Sequence, residues 1–384
     1  MRTLFLLVYI SGAAAAPLSF FGVGDWGAPD PLLQDRVASS MAATADAMAT
    51  PPAFVLALGD NFYEKGVASV DDRQFDATWR DVWLPKSERL RHIPWLAVLG
   101  NHDYHHGDEG ARAQVDRTER GDEDEWQMPT VDGVYERAFA RHAVRVVAFD
   151  ACLIARREEA ATRALYTDDD AARAVAALER ALAAAHADAR TRWLLVVAHY
   201  PVLSVGEHGD TPALRASVQP LLERYEADAY LCGHTHTLQH LEMRGVHYLV
   251  SGGGSKADGA AFPALFALEG RVTHFARAAL GFSAHEISDD GLTMTTTFVS
   301  IDGEPLHSAT QRARRAPRLA QPARARAPRD NLALRVAALG AGAGAVLAVA
   351  ATWFRLRGAA RPRRAYTRID APVREIALPP MVLA

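Results

Sequence analysis

From residue 18 to about residue 307 one arrangement of apolar and polar positions keeps returning. A short run rich in Val, Leu, Phe and Ala ends in Gly or Ala, and then in a residue able to bind a metal. "SFFGVGDWG" ends on Asp25, "AFVLALGDNFY" on Asp60, and "PWLAVLGNHD" on Asn101 and His102. "RWLLVVAHYP" ends on His199, and "AYLCGHTH" on His234 and His236. Continuous apolar runs of this length predict strands buried on both faces. Helical spacing separates several of them. "DDDAARAVAALERALAAAHAD" opens with acids suited to a helix N-terminus. "TPALRASVQPLLERYEA" offers Thr211 as N-cap and Pro212 at the first helical position. Strands alternating with helices predict an α/β architecture. After His236 the strands shorten and turns multiply, which predicts antiparallel closure of a second sheet.

The two ends follow other rules. "MRTLFLLVYISGAAAAPL" has one early arginine, an apolar stretch and then small residues, the pattern of a signal peptide over 1–16 with cleavage near Ala16. Residues 308–332 read as a Pro/Ala/Arg linker. Within 333–354, Val336 to Phe354 carry no charge, a length suited to a single transmembrane helix. Residues 355–384 would form a short basic cytoplasmic tail. Basic flanks lie on both sides of the span, so the signal peptide sets the orientation. It makes this a type I membrane protein of the secretory pathway, with residues 17–307 outside the cell or in a lumen.

Composition changes the picture in three places. Residues 308–384 hold 15 of the 42 Lys and Arg but only 3 of the 46 Asp and Glu, so the folded body is strongly acidic. Such a body will not bind nucleic acid by neutralising phosphates. Asparagine is scarce: Asn61, Asn101 and Asn331 are the three, and none begins a glycosylation triplet. Only Cys152 and Cys232 carry sulfhydryls, and a disulfide and two buried thiols both stay open.

Ligands in open α/β sheets collect at the carboxyl ends of strands. One Gly-Asp there is an ordinary turn. Five such ends, holding both asparagines of the body, point instead to one crevice lined with metal donors.

In this order GDWG, GDNFY, GNHD, VVAH and GHTH resemble the five motifs of the purple acid phosphatases, within the calcineurin-like metallophosphoesterases. "AHYPVLSVGEHG" and "YLCGHTHTLQ" resemble the small, mammalian-type (tartrate-resistant) members in particular. The resemblance spans roughly residues 18–300. It implies a four-layer αββα sandwich and an acid phosphatase acting on phosphate monoesters, small ones or phosphoproteins. A hydroxide held by a binuclear centre would be the nucleophile, with the catalytic domain expected as a monomer.

By the same resemblance Asp60 bridges two ions. Asp25, Tyr63 and His236 complete the first site, and Asn101, His199 and His234 the second. Two carboxylates and a phenolate favour Fe(III); imidazoles and an amide favour Fe(II), Zn(II) or Mn(II). His102 would contact the phosphoryl group, and His208 would protonate the leaving group. His105, His106 and His240 are expected at the surface or behind the ligands. Alternatives are a phosphodiesterase using two divalent ions, and a catalytically idle tethered ectodomain.

The chain also departs from that family. GHTH replaces GHDH at a residue that is no ligand. The family's disulfide partner for Cys152 falls near Ala213, so a free thiol is expected. "ARREEAATRALYTDDD" (155–170) replaces a protease-sensitive loop, and "RGDEDEW" is expected as a solvated loop without structure.

Overall fold

A computed structural model describes residues 16–27, 30–121, 124–128, 133–258 and 270–315. The chain divides into two units, Met1–Gln321 and Pro322–Ala384, and every described residue belongs to the first. The expected signal peptide (save Ala16), transmembrane span and tail lie outside the described residues, as does the linker beyond residue 315. No helix among the described residues is long and apolar enough to cross a membrane.

The first four strands, β1 (Leu18–Val23), β2 (Pro52–Ala57), β3 (Trp95–Ala97) and β4 (Trp126–Gln127), run parallel in one sheet. The next seven build a second sheet: β5 (Val134–Phe139), β6 (Val144–Phe149), β7 (Trp193–Val197), β8 (Ala229–Cys232), β9 (Leu238–Met243), β10 (Val246–Ser251) and β11 (Arg271–Arg277). Finally β12 (Gly281–Ile287), β13 (Thr293–Ser300) and β14 (Pro305–Arg312) return to the first. The orders are β14-β13-β12-β1-β2-β3-β4 and β11-β9-β10-β8-β7-β6-β5. Both sheets are mixed. The late antiparallel strands thus close both sheets, whereas the sequence pattern predicted closure of the second alone. Which sheet a strand joins depends on long-range partners such as β1 with β12, invisible to local periodicity.

Burial alternates with a period of two, as strand geometry requires. Phe20, Phe54, Leu56 and Val98 meet Val146, Leu195, Val197 and Leu231 in a core between the sheets. The opposite faces carry Phe21, Val55, Phe149 and Val196 into a core shared with helices Pro31–Ala47 and Asp168–Ala187. Layers therefore succeed one another as helix, sheet, sheet, helix. The helix at 168–187 begins with a capping box, Thr167 and Asp170 each accepting from the other's backbone. The predicted helix after Thr211 is divided into Pro212–Ser217 and Gln219–Arg224, because Pro220 has no N–H to continue the ladder.

Three further expectations are corrected. The boundary at 307 falls inside β14, where Ser308 and Thr310 pair by side chain with Thr297 and Thr295; a polar edge strand reads like linker. Trp126, at the end of the acidic insert, is fully buried in β4 among Trp26, Trp79, Phe62 and Phe75. His240 is only 3% exposed and lies on the inner face of β9, its ring nitrogens 2.9 Å from His247 and 3.1 Å from His307. His105 and His106 are exposed, as expected. Both cysteines are buried free thiols.

Candidate active site

The strands that the sequence singled out, β1, β2 and β3 of the first sheet and β7 and β8 of the second, bring their carboxyl ends to one site. Three of the predicted donors sit in left-handed backbone directly after a glycine: Asp25 (φ 57°), Asp60 (φ 50°) and His234 (φ 66°). Such conformations are costly for residues other than Gly and persist where surrounding structure over-determines them. The glycines allow the approach. A Cβ on Gly233 would lie 2.5 Å from Asp25 Oδ2, and one on Gly100 would lie 2.2 Å from Asp60 Oδ1. Behind the loops, Trp26 and Phe62 anchor in a tryptophan cluster with Trp83, Trp95 and Trp126, next in sequence to Asp25 and Tyr63.

All seven predicted donors come together, in two groups that share Asp60. In the first, the Tyr63 hydroxyl lies 2.8 Å from Asp60 Oδ2, 3.1 Å from Asp25 Oδ1 and 3.4 Å from His236 Nε2. In the second, Asn101 Oδ1 lies 3.0 Å from both His199 Nε2 and His234 Nδ1, and His199 Nε2 lies 3.4 Å from Asp60 Oδ1. Among the described residues, Asp25, Asp60 and His199 offer donor atoms that lie within 4.8 Å of one another, all buried. Each carboxylate oxygen of Asp60 thus faces a different group. Buried carboxylates, a phenol, an amide and imidazoles at these spacings fit two cations.

The electrostatics agree. Burial disfavours charge on His199, but Asp60 outweighs it and raises the imidazole to about 9. Burial likewise opposes charge on His236, and Asp25 and Asp258 prevail, raising it to about 10. Asp60 is held far below the carboxylate range, its burial more than offset by His199 and His102. Asp60 and Asp25 thus draw positive charge onto His199 and His236, while burial and then His199 and His208 hold His234 well below the usual imidazole range. Burial, then Asp60 and Asp25, push Tyr63 well above its ordinary value, so only a strong cation would make it a phenolate.

Tautomers are fixed from behind. His199 Nδ1 donates to the Leu58 carbonyl at 2.8 Å, leaving Nε2 for the site. His236 Nδ1 donates to Asp258 Oδ1 at 2.7 Å, and the His236 amide donates to Oδ2 at 3.1 Å. Sequence reasoning missed Asp258, which follows a glycine-rich turn after β10 with no local signature. It also missed Asp103, within GNHD. This buried carboxylate accepts from Gly100 N (2.8 Å), Asn61 N (3.2 Å), Phe62 N (3.3 Å) and Gln114 Nε2 (2.8 Å), tying two donor loops together. Burial and Asp60 push it up to about 6 against those donors. Asn61 is a partner of that network, not a donor to the site.

Both predicted catalytic histidines line the cavity over the donors, of about 250 Å³, with Glu159, Glu207 and Lys256. The His102 amide donates to Asp60 Oδ1 at 2.9 Å, and its Nδ1 to the Glu64 carbonyl at 2.8 Å. His208 is exposed at the mouth, its ring centroid 4.7 Å from that of His234. The segment at 155–170 is ordered into helix Ala160–Leu165, held by Arg156 and Arg157 on Asp168 and by the Tyr166 hydroxyl on Asp108.

Known proteins carry the same pattern. The calcineurin-like phosphoesterase family matches residues 19–238. Tartrate-resistant acid phosphatase type 5 of Oryctolagus cuniculus is 34% identical over 276 residues, 67% of this chain and 79% of that protein. Its counterpart in Homo sapiens is 32% identical over 332 residues, 83% and 96% of the two. Purple acid phosphatase 17 of Arabidopsis thaliana is 33% identical, covering 62% and 69%. Among solved structures, GAP50, the anchor in the inner membrane complex of Plasmodium, superposes with TM-score 0.64 at 22% identity over 78% of this chain and 90% of that one. Purple acid phosphatase PPD1 from yellow lupin seeds (Lupinus luteus) gives TM-score 0.54 at 16% identity, covering 77% and 54%. The chain therefore belongs to the calcineurin-like metallophosphoesterases, as a phosphatase of the purple acid phosphatase kind.

Proposed function

We propose that this chain is an acid phosphatase that hydrolyses phosphate monoesters with a binuclear iron centre. Asp25, Asp60, Tyr63 and His236 would hold Fe(III); Asp60, Asn101, His199 and His234 would hold Fe(II), Zn(II) or Mn(II). The observation that carries this is the division of Asp60, one oxygen towards Tyr63 and the other towards His199. Bound there, the two cations would polarise the phosphoryl oxygens and acidify a water enough to attack phosphorus at low pH.

The chain's own groups do the rest. His102, fixed through Nδ1 on Glu64, presents its other edge to the phosphoryl oxygens. His208 at the mouth gives a proton to the departing oxygen. Tyr63 favours a trivalent ion and so a phosphatase over the phosphodiesterase with two divalent ions. GAP50 of Plasmodium is an anchor, and an idle tethered body is the second reading for this chain. The complete donor set weighs against it. We further place the catalytic body on the outer or lumenal side of a secretory-pathway membrane, held by the apolar span at 333–354.

The test is one preparation with three readouts: iron per chain, a visible charge-transfer band, and turnover of a monoester against a diester. A colourless protein preferring the diester would overturn the assignment. An inactive protein after iron loading would favour the anchor.

A further inference from the structure

Among the described residues the His208 ring makes no hydrogen bond. Its ring contacts are with His234 and His236, at centroid separations of 4.7 Å and 6.5 Å. It stands in the stretch GEHG between Gly206 and Gly209, the latter in left-handed backbone at φ 66°. Glycines on both sides give that backbone more freedom than any other residue would. Nothing in the side chain itself therefore aims the ring. The loop that carries it must.

Two networks hold that loop. Asp210, two residues beyond His208, accepts at Oδ1 from the Ser204 amide (2.9 Å), which closes the loop on itself. The same oxygen accepts from Arg271 Nη1 on β11 (2.9 Å), and Oδ2 accepts from Arg215 Nη1 in the helix Pro212–Ser217 (2.8 Å). The Arg271 side chain is 2% exposed and that of Asp210 16%, so salt screens their attraction little. At the other end Gln239, fully buried on β9, accepts from the Val205 amide (2.8 Å) and donates to Ser204 Oγ (3.0 Å). Between the networks Gly206 lies against Thr235, the residue between His234 and His236. A Cβ on Gly206 would come within 2.2 Å of Thr235 Cγ2. The loop is thus pinned to the turn that carries two of the metal donors, and Asp210 is the charged fastening.

We propose, resting on the reading of His208 as proton donor, that Asp210 is a positioning residue for the reaction: its bonds to Ser204, Arg215 and Arg271 fix the loop so that the His208 proton reaches the departing oxygen. Asp210 does not line the donor cavity, so it acts through His208 and not on the substrate. It exchanges no proton. As a water oxygen bonds phosphorus, the electron pair of the broken ester P–O bond stays with the leaving oxygen, which takes the proton from His208. Misplacing a reacting group by about 1 Å can cost about 10²-fold in rate. A ring without a hydrogen bond of its own, on a loop rich in glycine, is open to such a shift once Asp210 is gone.

The test measures kcat on the full chain, loaded with iron, for propyl phosphate, whose leaving group is poor, and p-nitrophenyl phosphate, whose leaving group is good. Asp210→Ala should slow propyl phosphate by about tenfold or more, and p-nitrophenyl phosphate by no more than about twofold. A residue that merely held the fold together would slow both alike. On a His208→Gln background the same replacement should cost nothing further on propyl phosphate, because residues acting through one step do not add. Equal losses on the two esters, or an undiminished further loss in the double variant, overturn the proposal. If D210A does not fold, Arg215→Gln decides. That side chain is 31% exposed, and its loss removes one of the Asp210 bonds. It should give the same contrast on a smaller scale, and no contrast there overturns the proposal as well. If H208Q fails to separate the two esters, the proton-donor assignment falls and this proposal with it, while wild-type turnover still upholds the phosphatase. Failure of the wild type on both esters sinks the phosphatase reading itself.

Discussion

The Tyr63 hydroxyl donates to Asp60 Oδ2 at 2.8 Å, three residues back along the same loop, so phenol and carboxylate converge on one point. Without a strong cation that point keeps the phenol protonated, since burial and two carboxylates all raise it. Were Fe(III) held there as proposed, Tyr63 would supply the phenolate that gives a visible charge-transfer band. Tyr63→Phe is therefore expected to abolish the visible band while most of the iron is kept by Asp25, Asp60 and His236. Absorbance and elemental analysis of the same sample check this. A band of native strength would remove Tyr63 from the site.

The His236–Asp258 pair is expected to govern the quality of that site. Asp258 takes both the ring proton and the backbone proton of His236, so it sets ring orientation and donor strength together. Losing such a partner typically costs 10–100-fold in metal affinity or activity. Asp258→Asn should lower iron affinity by about that range and shift the charge-transfer band. Iron titration with the spectrum as readout checks both. Unchanged affinity and band would leave Asp258 a spectator.

How far the sequence announced all this depended on whether a role is local. Asp25, Asp60, Asn101, His199 and His234 each close a buried apolar run, and the carboxyl ends of such strands are where ligands collect, so the assembly was legible although the runs divide between two sheets. Asp258 was not. It touches His236 from 22 residues away, across the β9–β10 hairpin and a glycine-rich turn, so no local pattern links the two. Asp103 lies within GNHD, but its four donors come from two loops and a helix that only folding brings together. His240 could have been placed better. It has the same parity as Leu238, an inner-core residue, and period two puts both on one face.

His208, proposed as the leaving group's proton donor, lines the donor cavity with its ring centroid 4.7 Å from that of His234. A proton donor matters most when the leaving group is a poor one. His208→Gln is expected to slow hydrolysis of an alkyl phosphate by ~10²-fold or more, and that of p-nitrophenyl phosphate only slightly. Steady-state kcat for the two esters measures the contrast. Equal losses on both would mean that His208 serves binding or structure instead.

Far from the donors, His285 on β12 makes the pH dependence of stability readable. It is fully buried, stacked on Phe20 with centroids 4.6 Å apart, and its nitrogens meet Thr296 Oγ1 at 3.0 Å and Ser283 Oγ at 2.9 Å. Burial pushes it down to about 3. Across the inner core its titratable neighbour is His240, also pushed down to about 3, by burial and then by His247, His274 and His307. An unfolded histidine titrates near 6.5, so between there and about 3 the unfolded chain binds a proton that the folded one refuses. This residue's stabilisation is complete above pH ~6.5 and is lost as pH falls, with a limiting slope of ~1.4 kcal/mol per pH unit. His285→Gln keeps a polar group beside Thr296 and Ser283 but removes the titration. Urea unfolding across that window should give the variant a shallower acid slope by about one proton. Parallel slopes would show that His285 takes up its proton in the folded state as readily as in the unfolded chain.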